Sequence, residues 1–501
     1  RDFFFTMASV GEVLWATLAR AITLPDAAAV AKDWDFLAPV DLVVVQIGDA
    51  AGFPEDKVRF LLCMFASFPL VLLHGCLPST ALRHAVAILI GAAYTVFSFR
   101  HQALHSLVSA TVTYVLILVL GRSPLGPPVV CAFNLGYMFL CHLHQQLAFW
   151  GAYQLDFTGL HMVLTIKMTQ VAFNVYDGSN PKASETQKRW GLPGPPSPLL
   201  FLSYVYYFPS LLAGPAFEIS DFQRFMEGTL WDDDKGRSRW GEVRSGAYVA
   251  AGLKLASVGL LFGGVVGNGK FPAGFALTDE YLAYSLPARI GYLWISGGLY
   301  RFPYYLAWVL ADSACTLAGL GYNGSDAEGK PRWDRVSNCD VVGVETAQSV
   351  RVVMAEWNKG TNHWLRHYVY ERLLAVKCPR GLATLATFLV SAFWHGFYAG
   401  YYVTFFCGSL AVDLSRDMRT VLRPRFADTT TKKTPLWYNA LGAILSSFIL
   451  NEMVIPFVLL DLSSGWIACK RVYCIPQVGL LVLYGTFRVL ASRVKRPSKK
   501  E

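Results

Sequence analysis

The sequence predicts an all-α polytopic membrane protein of about ten to twelve helices, on three observations. Of its 501 residues, 54% are hydrophobic and only 16% are charged, whereas soluble domains run near a quarter charged. The apolar residues are gathered in blocks. Phe60 to Leu82, His101 to Gly121, Ser123 to Leu155 and Gly381 to Val412 contain no Asp, Glu, Lys or Arg. About 20 apolar residues cross a hydrocarbon core roughly 30 Å thick, so each block is long enough to span and the two longest to fold back. Finally, Arg59, Arg83, Arg100 and Arg122 bracket the blocks, as basic residues do at cytoplasmic membrane edges.

The elements follow in chain order. Residues 1–57 read as an N-terminal lead-in, interrupted by Pro25, Pro39 and Pro54 and interfacial rather than spanning. Met7-Ala-Ser has the form of a natural start, with Arg1 to Thr6 ahead of it. Spans are expected at about 58–77, 83–99, 103–120, 127–149 and 157–176. A Pro- and Gly-rich stretch from Asp177 to Ser197 then reads as a loop. Further spans are expected at about 199–216, 247–267, 288–318, 382–394, 396–414, 436–460 and 473–491, with a polar interval from Asn323 to Lys377. Residues 58–491 thus form a single membrane domain, and 492–501 a basic cytosolic tail.

Several function classes fall away. The net charge of +9 is explained by basic residues meeting anionic headgroups. No basic stripe interleaved with exposed aromatics appears, so nucleic acid is not a partner. The ten cysteines form no CxxC pair and six lie inside apolar blocks, which argues against a disulfide framework or zinc. Gly319-Leu-Gly-Tyr-Asn-Gly324 matches GxGxxG but follows a membrane helix, not a strand. His142-Leu-His144 and the pair His101 and His105 lack carboxylate or thiolate companions and read as polar residues at helix ends. No metal is expected.

Five charges fall well inside expected spans: Lys167, Lys254, Arg301, Asp312 and Glu452. Each costs about 2.5 to 3.5 kcal/mol at mid-bilayer. Any one of them can snorkel from a helix end; together they point to an internal polar chamber.

Two constellations could carry chemistry. His395, in Ser391-Ala-Phe-Trp394-His395-Gly396, sits in the middle of the uncharged block 381–412. An imidazole there is either a general base or a core histidine tying two helices together. The second constellation is Glu356-Trp357-Asn358-Lys-Gly-Thr-Asn362-His363-Trp-Leu-Arg366-His367-Tyr-Val-Tyr370-Glu-Arg372. As one helix it places His363, Arg366, His367 and Tyr370 on a single face. That face either holds phosphate or rests on lipid headgroups.

Together with Leu320-Gly-Tyr-Asn-Gly324, Trp333-Asp-Arg-Val-Ser-Asn338, Gly343-Val-Glu345, Leu164-Thr-Ile-Lys167, Tyr176-Asp-Gly178 and Ala213-Gly-Pro215 with Glu218, these two stretches resemble the membrane-bound O-acyltransferases. The pattern is most similar to the broad lysophospholipid acyltransferases of plants, algae and fungi. It covers about 157–415 and is weak at the termini.

The resemblance implies a bundle of about 11 transmembrane helices enclosing a catalytic chamber in which Asn358 and His395 meet. It implies acyl-CoA as co-substrate, a lysophospholipid from the membrane as acceptor and no permanently bound cofactor. His395 would act as base and Asn358 as its companion. Trp357, Asn362, His363, Arg366, Tyr370 and Trp394 would contact substrate. Lysophosphatidylcholine would be favoured within a broad headgroup range, in phospholipid remodelling at the endoplasmic reticulum membrane. The dilysine signal common in relatives is displaced here, with Lys499 and Lys500 one place nearer the end. A family member that acylates a sterol, diacylglycerol or protein is the alternative, and a transporter a more distant one.

Overall fold

The computed structural model describes residues 37–148, 150, 156–232, 236–428, 430–431 and 433–494. Most of the lead-in, Met7 included, and the tail beyond 494 lie outside them. Among the described residues the chain is helical, with two isolated β-bridges, Asp232 with Ser238 and Ser325 with Pro331. Six helical stretches are long and apolar enough to cross a membrane: Glu55–Gly75, Thr80–Leu120, Gly126–Leu147, Trp240–Leu277, Leu436–Leu459 and Ile475–Arg493. The protein is an all-α polytopic membrane protein.

The elements used below are α1 (Ala38–Ala51), α2 (Glu55–Gly75), α3 (Thr80–Phe99), α4 (Ala103–Leu120), α5 (Gly126–Ala148), α6 (Phe157–Ser179), α7 (Pro198–Val205), α8 (Ile219–Glu227), α9 (Trp240–Ala256), α10 (Val258–Lys270), α11 (Leu286–Leu299), α12 (Phe302–Leu317), α13 (Val350–Glu356), α14 (Lys359–Leu365), α15 (Arg380–His395), α16 (Ala399–Phe426) and α17 (Leu436–Leu459). Two of them form the interior. In α6 every residue from Leu164 to Ala172 is buried, and in α12 every one from Trp308 to Thr316. Small and hydroxylic residues such as Ala311, Ser313, Ala314 and Thr316 let neighbouring helices approach α12 closely, as association inside a bilayer requires.

Three expected spans differ. The stretch 199–216 is not one helix. α7 ends at Val205, and a single 3₁₀ turn, Phe208–Ser210, follows. Pro209 and Pro215 deny the backbone donors a helix needs, and the irregular chain survives because it is almost wholly buried in protein. The stretch 288–318 is two helices, α11 and α12, broken at Tyr300–Arg301 ahead of Pro303, and 247–267 breaks at Ser257.

The five intramembrane charges are not bonded to one another as one group; four of them stitch separate seams. Lys254 Nζ donates to Asp312 Oδ1 at 2.7 Å, Thr316 Oγ1 at 3.0 Å and the Trp333 carbonyl at 2.9 Å, joining α9, α12 and the loop that follows. Arg301 makes a two-pronged contact with Glu345, Nε to Oε1 at 2.9 Å and Nη2 to Oε2 at 2.8 Å, and also donates to the Asn451 side chain. Lys167, fully buried, donates to the Tyr204 carbonyl at 3.1 Å and Ser210 Oγ at 3.0 Å. Its ammonium also lies against the rings of Tyr204 and Phe217, at 5.2 and 5.1 Å. Glu452 is 1% exposed, and its Oε1 has no hydrogen-bond partner among the described residues.

Removing one partner of a buried pair leaves the other charge uncompensated. Asp312→Ala should therefore destabilise the fold by about 3 kcal/mol or more. A thermal melt in detergent checks this, and an unshifted midpoint would show that Lys254 finds water instead.

Candidate active site

α15 ends at His395 because Gly396 adopts φ +124°, a conformation that L residues avoid. A Cβ there would also lie 3.4 Å from His142 Nδ1. The chain then turns into α16, where Gly400 permits a second close approach. Its N–H donates to the Leu460 carbonyl at 2.8 Å, and a Cβ would sit 1.9 Å from the Pro456 carbonyl oxygen. That contact brings the end of α17 against His395. The imidazole is stacked on Phe405 with centroids 5.2 Å apart, meets the Phe457 ring edge-on at 5.2 Å and lies 5.9 Å from Tyr401.

Neither ring nitrogen of His395 has a hydrogen-bond partner among the described residues. The residue is enclosed by protein on all sides yet keeps part of its surface open. Trp394, beside it, is buried and fixed twice: its indole N–H donates to the Met162 carbonyl at 3.0 Å, and its own carbonyl accepts from His142 Nε2 at 3.0 Å.

The second constellation begins at Trp357 and Asn358. Asn358 is the N-cap of α14 with φ +44° and ψ +56°, the left-handed region that Asn tolerates better than most residues. Its backbone is anchored on both sides: its carbonyl accepts from Asn362 N at 2.9 Å, and Lys359 N donates to the Asn338 carbonyl at 2.7 Å. The Asn358 side-chain amide has no partner among the described residues. Trp357 packs on Trp308 at 4.8 Å and Tyr305 at 5.4 Å.

A run of rings joins Trp357 to His395 through Tyr304, Tyr300 and Phe457, with successive centroids 6.0, 5.8, 6.4 and 5.2 Å apart. Tyr304 is 36% exposed. Trp364 and Tyr368 of the same segment share a buried cluster with Trp394, Met138 and Ile166. Trp357 and His395 are thus the two ends of a chain of four ring contacts, with Asn358 next to one end and Trp394 next to the other.

The single helical face expected at 363–370 is broken. α14 stops at Leu365, and a π-helical turn, Arg366–Tyr370, follows. Its wider turn shifts the register of every later side chain. His363 and His367 still meet, with ring centroids 4.5 Å apart. However, His363 Nε2 donates to Glu218 Oε1 at 2.7 Å, and His367 Nδ1 and Arg366 Nε donate to the two oxygens of Glu371 at 2.9 and 3.2 Å. Burial, and then the neighbouring His363, lower the pKa of His367 from its ordinary value. Arg366 remains 67% exposed. Tyr370 is half-buried, and the Asn362 amide is spent on the Met354 carbonyl at 2.8 Å.

Sequence reasoning gave no role to Glu218, which is buried and accepts from His363, from Asn174 Nδ2 at 2.6 Å and from Tyr368 OH at 2.8 Å. It also took His142 for a helix-end residue, whereas His142 is buried against Trp394. Neither could have been found by spacing, since their partners lie 145 and 252 positions away.

The two asparagines are separated by these bonds. Asn362→Ala should lower stability by about 1 kcal/mol through the lost bond to Met354, with kcat following only as far as folding does. Asn358→Gly keeps the left-handed backbone and removes the uncommitted amide, so it should leave the melting temperature in place and lower kcat. Measuring both quantities on both variants checks the assignment; the opposite order would exchange their roles.

A profile of the membrane-bound O-acyltransferase family matches residues 143–455. Lysophospholipid acyltransferase 6 of Drosophila melanogaster is 32% identical over 457 residues, 87% of this chain; the chain spans 62% of the fly protein's length. The lysophospholipid acyltransferase of Schizosaccharomyces pombe is 32% identical over 457 residues, 89% of each chain. Human membrane-bound glycerophospholipid O-acyltransferase 2 is 32% identical over 461 residues, 87% of this chain and 86% of its own. The matched region runs through both Asn358 and His395, and the chain belongs to the membrane-bound O-acyltransferase family.

Proposed function

We propose that this protein transfers an acyl group from acyl-CoA to the free hydroxyl of a lysophospholipid. The observation that carries the reading is His395: an imidazole with both nitrogens uncommitted, stacked on Phe405 and edge-on to Phe457. The names of the relatives described above support the acceptor class.

In this reading one nitrogen of His395 accepts the hydroxyl proton as the oxygen attacks the thioester carbonyl. The C–O bond forms, the C–S bond breaks, and the proton passes from the imidazolium to the departing CoA sulfur. General-base assistance of this kind is worth typically about 10² to 10⁴-fold. The Asn358 amide orients the hydroxyl or donates to the developing oxyanion, where one donor in a dry site contributes about 2.7 to 4 kcal/mol. Because His395 acts directly on the hydroxyl, both substrates are bound together.

Trp357 and Trp394 serve as walls. Of the remaining contacts, Arg366 is the best placed to meet a phosphate, being the most exposed cation of its segment. His363, Asn362 and Tyr370 hold the segment's shape around it. Lysophosphatidylcholine is the favoured acceptor within a broad headgroup range. The endoplasmic reticulum membrane is the site, and phospholipid remodelling the role.

A panel of lysophospholipids and acyl-CoAs offered to the purified protein tests this. Turnover of lysophosphatidylcholine among several headgroups is expected. Strict use of lysophosphatidylinositol, or of a sterol, diacylglycerol or protein acceptor, would overturn the acceptor assignment. His395→Ala should abolish turnover with an unchanged melting temperature, and near-parental turnover would remove it as the base. Arg366→Ala should raise a KM, for acyl-CoA or the lysolipid, and leave kcat in place; two unchanged KM values would reduce Arg366 to a headgroup rest.

A further inference from the structure

The peptide that carries His395 is held from a distance. The last carbonyls of a helix lack partners along the chain, and at bilayer depth water is not there to replace them. At the end of α15 the Gly396 N–H takes the carbonyls of Ala392 and Phe393, at 3.2 and 3.1 Å. The next one, Trp394, is bonded instead by His142 Nε2 on α5, at 3.0 Å and 252 positions away. A carbonyl can only accept, so His142 carries a proton on Nε2, and in the neutral ring Nδ1 holds a lone pair. That second nitrogen lies against Gly396, where any side chain would meet it. The ring is buried and edge-on to Phe397, with centroids 6.4 Å apart.

We propose that His142 is a positioning residue for catalysis: by bonding the Trp394 carbonyl it fixes the peptide plane from which His395 projects. The inference rests on the reading of His395 as the base. A working imidazole is usually oriented by a second group bonded to its other nitrogen. His395 has no such group among the described residues. Its direction is set by the ring stack on one side and by the main chain on the other. His142 is the side chain that immobilises the main chain there, and Gly396 is the residue whose positive φ turns the chain beside it.

Two amides of different reach test this in the full-length protein in detergent. Gln at 142 can place an N–H near the position of Nε2, whereas the Asn amide stops near Nδ1 and cannot reach the Trp394 carbonyl. His142→Asn should lose kcat on the order of 10- to 100-fold, with both KM values unchanged, the scale of a small misplacement of a reacting group. His142→Gln should stay within about threefold of the parent. The two variants should melt alike. Equal kcat for the two, whether both fall or both stay, overturns the proposal, and so does a loss carried by KM. Should the Asn variant unfold, the Gln variant still decides: a well-folded His142→Gln with a large kcat loss overturns it, and near-parental kcat supports it. If His395→Ala keeps its turnover, the base assignment itself has failed. If His395→Ala is inactive while His142→Asn keeps parental kcat, only the role of His142 has.

Discussion

At bilayer depth no water is available to complete a hydrogen bond, so a polar group there is costly unless another part of the chain answers it. That constraint shapes more of the structure than hydrophobic burial does, because lipid tails are as apolar as leucine and give the helices no reason to associate. Several contacts that join distant helices are accordingly polar. Lys254 and Asp312 join α9 to α12, Arg301 and Glu345 tie the start of α12 to the polar interval after it, and Lys167 holds the irregular stretch after α7 through a carbonyl and a hydroxyl. Each is a charge that would be costly alone and becomes specific when paired.

The same constraint explains where the chemistry sits. Inside a polytopic protein a helix end is an irregular place, and the carbonyls freed there demand donors. The end of α15 is such a place: Gly396 turns the chain, His142 supplies the missing donor, and the residue between them is His395. Around it the wall is built from rings, namely Tyr401, Phe405 and Phe457. The Phe405 and Phe457 rings exclude water without offering hydrogen bonds, and the imidazole nitrogens are left for a substrate. A site of this kind strengthens any electrostatic contact made inside it.

The polar segment after Trp357 shows a different economy. Its two histidines and Arg366 are bonded by Glu218 and Glu371, and a π-helical turn interrupts the face that a regular helix would present. Such turns occur frequently at functional sites. Here the turn lets Tyr368 reach inward to Glu218 and Asn174 while Arg366 stays outside. The segment is therefore a clasp between α6 and α15 as well as a candidate contact for substrate.

Sequence alone determined the class of molecule, the approximate course of most helices and the two motifs around Asn358 and His395, because these depend on composition and on residues close together in the chain. Runs of apolar residues must be helices in a bilayer, and Pro and Gly end them. What lies between distant segments only the tertiary structure decided. The pairing of Lys254 with Asp312, the bond from His142 to Trp394, the buried acceptor Glu218 and the edge-on contact of Phe457 with His395 join residues 58, 252, 145 and about 60 positions apart. No local pattern encodes them. The five charges read as one chamber became three separate seams and one unpaired carboxylate for that reason: periodicity states which face of a helix is polar, and only packing states which neighbour that face meets.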